Sequence, residues 1–512
     1  MPSSDTTLHI GWAQADITPD RPVILAGQFH ARVSEGIMDP VTATALALES
    51  ADGAGSSAQA VMVTCDLASI SDELRDAVRH RINAAGVGLD PMNIVIGATH
   101  THSAPDARLT PYGMEKDYKA SVLAGKDLTG QAQYGMWPCL DMDIMTPAEY
   151  VPFAADRIAD AVLQAWERRV PGGMAYGMSH AMVGRNRRLT YADGSSKMYG
   201  KPGTPAFRHV EGYENHAVQA LMTYDKDEKL TGLVVNVPCP SQVSEHIFQI
   251  SADYWHETRV ELRKRLGEHI FILPQCAPAG DQSPHVLIGK RAEERMWRLK
   301  GRDPQQNAPR AEIALKIANA ISDIVPYAGQ EIEWTPAFLH TMELLALPRR
   351  LISEADADEA LEEARPFKAE FERLSAELAL QPELRRTPRW YMEITKAYRR
   401  MERGARVRKR LELQQANPLQ TIEVHALRIG ETAFASNPFE LYLDYAIRIQ
   451  ELSPAVQTFL VQKAGCNGTY LPSARSIAHK GYGSVPASTD IGPEGGDQLV
   501  DWTVAAITRM WG

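Results

Sequence analysis

Thr99-His100-Thr101-His102-Ser103 follows an apolar run and leads through Pro105 into a long irregular stretch. Two histidines one residue apart in extended backbone present both imidazoles on one side, because strand side chains alternate with a period of two. Two neutral imidazoles there suit zinc, or one binds metal while the other handles protons. The plain alternative is a pair of surface histidines at a strand end. The strongly apolar strand before the pair favours a ligand site, since ligands of open α/β sheets gather beyond the carboxyl ends of strands.

Four other segments carry chemistry-bearing residues. Gly280-Asp281-Gln282-Ser283-Pro284-His285 is a small-residue loop after a strand, in which Ser283 or Asp281 could face a cleft or simply make a turn. Arg185-Asn186-Arg187-Arg188 is a compact cationic group that could clamp a carboxylate or an oxyanion, or stay solvated. Asn437-Pro438-Phe439-Glu440 opens a helical pattern with Glu440 in its first turn, where the helix dipole alone favours a carboxylate. Tyr470 follows a strand and the glycine turn at Gly468.

The elements that must position these residues follow from apolar patterning. Ala60–Cys65 and Asn93–Ala98 read as buried strands joined by a helix on which Leu74, Val78 and Ile82 share a face and Gly86 is the C-cap. Strand, helix, strand predicts a parallel pair. The same grammar predicts strands at Leu230–Val237, His269–Pro274 and Val456–Val461. It also predicts a hairpin of Leu419–Ile429 with Thr432–Ser436. Helices are expected at Ser251–Leu266, Pro309–Val325, Phe439–Leu452 and Gln498–Met510. Ala104–Met145 has little periodicity and reads as a long loop. Ser353–Asn417 breaks the rhythm with two helical stripes, Phe367/Phe371/Leu374/Leu378 and Trp390/Ile394/Ala397/Met401, separated by prolines. It predicts an inserted αα-hairpin with charged outer faces, a candidate dimer arm in a homo-oligomer. The expected organisation is a core of residues 1–352 and 418–512 with residues 353–417 inserted.

With 512 residues and 44% apolar side chains, the chain can bury a large core. A net charge of −10 argues against nucleic acid, which needs a basic face. No apolar run is long enough for a membrane span. The first seven residues show no secretory pattern, and five scattered cysteines without a CxxC pair argue for a reducing compartment. The expectation is a cytoplasmic protein acting on a small-molecule substrate.

As an ordered set these segments resemble the catalytic domain of the neutral/alkaline non-lysosomal ceramidase family. The similarity is carried by Gly97-Ala98-Thr99-His100-Thr101-His102-Ser103-Ala104-Pro105, Asn186-Arg187, Gly280-Asp281-Gln282-Ser283-Pro284 and the Glu440 and Tyr470 segments. The opening Gly11–Thr18 and Cys65-Asp66-Leu67 add to it. It covers most of the chain outside Ser353–Asn417. The resemblance implies an α/β fold, a mixed sheet core with flanking helices, with one catalytic Zn2+ per chain. By the same resemblance His100, Glu440 and Tyr470 are metal ligands, His102 handles protons or contacts substrate, and Arg187 and Ser283 line the site. One ligand does not transfer. The family's second zinc histidine lies in a segment like Asn-Phe-Ala-Cys-His-Pro, where this chain reads Asn236-Val237-Pro238-Cys239-Pro240-Ser241-Gln242, with Pro240 in the histidine's place. Cys239, Glu245 and His246 are nearby substitutes. His246 keeps the imidazole chemistry, whereas Glu245 could ligate, act as a base or bind substrate.

The leading expectation is a zinc-dependent hydrolase of a small polar substrate. The bond is an amide by family analogy, with an ester, lactone or glycosidic bond also open. The alternatives are a metal-dependent lyase or isomerase acting on a sugar-acid-like substrate and a non-catalytic relative of the family.

Overall fold

The computed structural model describes residues 7–51, 57–109, 118–125, 134–304 and 308–512. Three sheets share one plan. In the first, β1 (Leu8–Asp16), β2 (Thr42–Ala51) and β3 (Ser57–Cys65) form an antiparallel meander. Helix α1 (Asp72–Ala85) then crosses to β4 (Ile94–Ala98), parallel to β3. Ser71 caps α1 by accepting from the Leu74 amide, and Gly86 ends it at φ 63°. Period-two alternation divides this sheet. Ala43, Ala45, Ala47, Val61 and Val63 pack under α1 and α2 (Pro147–Glu167), while Leu46, Leu48, Ala60 and Met62 face the molecular centre.

The second sheet repeats the plan with β5 (Gly173–His180), β6 (Ala217–Tyr224) and β7 (Leu230–Val237). From there α3 (Tyr254–Leu266) leads to β8 (Phe271–Cys276), parallel to β7. α4 (Ala308–Ala328) packs with α3 on the outer face. The third sheet starts with β9 (Phe338–Pro348). The chain leaves it through α5 (Glu354–Leu380) and α6 (Tyr391–Ala416) and returns as β10 (Leu419–Ile429) and β11 (Thr432–Ser436). It then crosses by α7 (Leu443–Leu452) to β12 (Gln457–Val461), parallel to β11. α8 (Pro493–Met510) closes the chain against α7.

Inner faces of all three sheets meet in one cluster that includes Trp12, Leu46, Leu221, Leu273, Phe434 and Phe459. Asn236 ties the second sheet to the third by donating to the Leu460 carbonyl at 2.9 Å. The carboxyl ends of the three parallel pairs therefore converge. Every segment singled out for chemistry leaves one of those ends or lies beside it.

Two expectations change. The stretch Ala104–Met145 contains a helix, Tyr118–Ala124, whose Tyr118 and Val122 bury one turn apart against Met92. The remainder of that stretch at residues 110–117 and 126–133 lies outside the described residues, as do residues 1–6 of the N-terminal reading. Strands β1, β2, β5, β6 and β9 also join the sheets beyond those that patterning predicts. β2 reads Thr-Ala-Thr-Ala-Leu-Ala-Leu-Glu-Ser-Ala, and alanine favours helix unless neighbouring strands decide otherwise.

The helical hairpin is present and docks back on the core. Gly404 sits where a Cβ would lie 2.4 Å from the Ala360 carbonyl oxygen, so α5 and α6 pack at close range. Ala31 N–H donates to Thr395, Val33 N–H donates to Tyr391, and Arg410 pairs with Asp490. Among the described residues no helix is long and apolar enough to cross a membrane.

A buried polar network joins α1 to the third sheet. Arg79 makes a two-pronged contact with Glu423, His425 bonds to Glu423, and His340 stacks on His425 with ring nitrogens 3.0 Å apart. Burial, and then the neighbouring His425, push the His340 imidazole down to about 3 from its ordinary 6.5. The folded state thus binds fewer protons than the unfolded chain between those values. The stabilisation from neutral His340 is complete above 6.5 and is lost as pH falls toward 3. Urea unfolding at pH 7 and pH 4 is expected to show the wild type losing up to about 3 kcal/mol more than His340→Gln. Equal losses would contradict this assignment.

Candidate active site

The Thr99–Ser103 segment leaves β4 by a sharp turn. His100 sits at φ 61°, in the left-handed region that non-glycine residues seldom enter. The turn is held by Thr99 N–H donating to the Cys65 carbonyl, Thr101 N–H to Leu67 and His102 N–H to Ser241. The two imidazoles are therefore not displayed by extended backbone, as the His-x-His spacing suggests. They reach one cavity through this turn, with ring centroids 5.0 Å apart and planes at 89°. His100 Nδ1 donates to the Ala68 carbonyl at 2.5 Å, which fixes the tautomer and leaves the Nε2 lone pair free. Burial lowers its pKa, so the ring favours the neutral form that ligands require.

Glu440 faces that lone pair, with Oε2 3.6 Å from His100 Nε2. It does not lie in the first turn of a helix. Glu440-Leu441 forms a short parallel bridge with Tyr470-Leu471, and α7 starts only at Leu443. Backbone pairing to the Tyr470 strand wins over helix extension and brings the carboxylate and the phenol side by side. Gly280 makes this approach possible, since a Cβ there would lie 2.3 Å from the Glu440 carbonyl oxygen. Burial alone would raise the Glu440 carboxyl. His100, Lys463 and Arg187 outweigh it and hold the group well below the usual carboxylate range.

Arg187 stands behind this pair, buried. It donates to the Tyr199 hydroxyl at 2.8 Å, the Gly280 carbonyl at 2.9 Å and the Tyr470 hydroxyl at 3.3 Å, and lies 3.6 Å from Glu440. The cationic run around it is split three ways. Arg188 forms a buried pair with Glu211, Arg185 pairs with Glu293, and only Arg187 turns to the site. Ser283 is buried on a two-residue strand opposite Arg185 and accepts from the His285 amide, without lining the cavity. Asp281 is also turned inward. Burial pushes its carboxyl up to about 7 while it accepts from Asn186 and from the Leu443 amide at the start of α7.

Glu245 joins two histidines. His102 Nδ1 donates to one carboxylate oxygen and His285 Nε2 to the other, both at 3.0 Å. Burial would raise this carboxyl, but the two imidazoles outweigh it and keep it well below its ordinary value. The loop is seated by Gly27, whose φ of 102° and missing Cβ let His102 pass at close range. Buried Arg32 donates to the Ala26, His102 and Ile247 carbonyls.

The structure thus brings His100, His102, Arg187, Glu245, Glu440 and Tyr470 together, with Ser283 just behind. It does not bring His246, which is solvent-exposed beside inward-facing Glu245. Cys239 is buried away from the cluster, its thiol raised well above the ordinary range by burial. Three residues not singled out also belong here. His285 holds Glu245, and Lys463 and Tyr482 line the cavity. Lys463 carries a signal, a lone charge two residues past an apolar strand. Tyr482 carries none.

Among the described residues, no three His, Cys, Asp or Glu side chains are grouped to hold a metal. The donors that do converge are His100 Nε2, Glu440 and the Tyr470 hydroxyl. Their His–Glu spacing of 3.6 Å exceeds a hydrogen bond and is close to that of two ligands on one tetrahedral ion at ~2.1 Å each. They fit an open three-donor site, and among the described residues the second imidazole of a four-donor site has no counterpart.

No protein-family model matches the sequence, and no curated protein does. Solved structures do match. Neutral ceramidase from Pseudomonas aeruginosa superposes with a TM-score of 0.66 at 19% identity, over 99% of this chain and 75% of that one. A ceramidase solved as a complex with C2 gives 0.65 at 16% identity, over 99% and 76%. The chain has the neutral ceramidase fold. The mixed α/β architecture expected from the ordered motifs is therefore the one observed, including the Pro240 departure inside it.

Proposed function

We propose that this chain is a metal-dependent hydrolase that cleaves an amide bond in a small polar substrate at the His100–Glu440 edge of the cavity. The observation that carries this reading is the meeting of a ligand-competent trio with an independent proton-handling pair, on a fold shared with ceramidases. His100, Glu440 and Tyr470 would hold zinc. Bound there, zinc supplies Lewis-acid polarisation of the scissile carbonyl and makes a water easier to deprotonate.

The chain's own groups handle the rest. His102 Nδ1 is occupied by Glu245, so Nε2 is the atom that takes a proton from the attacking water and returns one to the leaving nitrogen. Glu245 does not line the cavity and acts by orienting His102. Arg187 orients Tyr470 and Glu440 and adds positive charge behind the site where the carbonyl oxygen gains negative charge.

Turnover in 18O-labelled water separates hydrolysis from elimination. One labelled oxygen is expected in the carboxylate product. An unsaturated or isomerised product without label would move the assignment to a lyase or isomerase.

A further inference from the structure

The same cavity, about 430 Å³, is walled on one side by α6. Arg399, Arg403 and Arg406 recur there at helical spacing and share one face, followed by Lys409. Lys463 and Arg108, the latter paired with Asp106, add to the lining, and among the described residues the acidic side chains there are Glu402 and Glu440. A cationic wall is unexpected on a chain of net charge −10.

Pairing makes the contrast sharper. Several arginines of the hairpin outside the cavity have carboxylate partners, whereas Arg385 and Arg400 lie over the Trp390 and Phe367 rings instead. Arg408 meets Glu354 and Asp358, Arg410 meets Asp490, and Arg373 meets Glu370 and Glu377. Among the described residues, Arg399, Arg403 and Arg406 form no such ion pair. Arg403 donates to Ser488 and lies over the Tyr482 ring, while the buried Nε of Arg399 has no hydrogen-bond partner. Three neighbouring guanidiniums with one carboxylate, Glu402, among them keep a net positive charge and repel one another, and an oxyanion that accepts from two of them offsets that cost. Burial, and then adjacent Arg406 and Arg108, pull Arg399 down to about 10, outweighing Asp106 and Glu402.

We propose that the substrate carries an acidic group, a carboxylate or a phosphate, that docks on Arg399, Arg403 and Arg406 while its amide reaches His100 and Glu440. This rests on the hydrolase reading only for the second half of that sentence. The oxyanion site itself stands on three arginines without an ion pair gathered on one wall of one cavity.

Isothermal titration of the full-length protein with succinate and with inorganic phosphate tests the site and distinguishes the two anions. At low ionic strength at least one is expected to bind saturably, and to weaken as sodium chloride rises. Arg399→Gln/Arg403→Gln is expected to lose at least tenfold in affinity, and Arg408→Gln, a paired arginine on the outer face of the same helix, to bind as wild type. His100→Ala is expected to keep anion binding, so that failed turnover with intact binding counts against the hydrolase reading alone. Absence of saturable binding to either anion in the wild type, or equal binding by the double variant with an unchanged circular dichroism spectrum, would overturn the proposal.

Discussion

His100→Ala is expected to abolish both metal retention and turnover. Wild-type protein should hold about one zinc per chain after dialysis, and the variant less than about a tenth of that, with kcat/KM down by about 10³-fold or more. The reason is geometric. His100 is the one imidazole among the three converging donors, and its free lone pair is fixed by the Ala68 carbonyl. Of the other histidines, His102 is held by Glu245 and His246 points into solvent, while Pro240 occupies the position expected for a second imidazole. Alanine keeps a Cβ at φ 61° and so does not relieve the backbone strain there, and a circular dichroism spectrum matching the wild type separates loss of the ligand from loss of the fold. Metal analysis by plasma mass spectrometry decides the matter, and full zinc occupancy in the variant would remove His100 from the ligand set.

The second large effect is expected at a residue that does not line the cavity. Glu245→Gln should lower kcat by roughly 10²–10³-fold with little change in KM, because glutamine offers one acceptor where His102 and His285 need two. Loss of orientation at His102 then removes proton transfer and leaves binding intact. The double variant Glu245→Gln/His102→Ala should be no slower than His102→Ala alone, since the two act as one unit. Additive losses would show that Glu245 has a role of its own in the reaction.

Much of this arrangement could be read from the chain, for reasons that differ by residue. The parallel pairs β3/β4 and β7/β8 announce themselves as β-branched runs with a helix between them, and local patterning is enough to place His100 at a strand end. For Glu440 the sequence points to the site but predicts a helix. Its partner strand at Tyr470 is remote in sequence, and no local pattern encodes that pairing. Glu245 and His246 are equivalent in sequence, and only tertiary packing decides which one turns inward. The wall of arginines on α6 is the clearest case. Its residues are indistinguishable by type or spacing from Arg408 and Arg410, and only their surroundings separate paired cations from unpaired ones.

Convergence of the three parallel pairs has a kinetic consequence. His100 and His102 come from the first sheet, Glu245 from the second, and Glu440 and Tyr470 from the third, so no single sheet contains a working centre. Contacts this distant along the chain close late in folding, after loop-closure entropy has been overcome. On dilution from denaturant, helical signal should return well before activity. Recovered turnover then reports the final docking of all three sheets, and a species with native helix content and no activity marks the step before it.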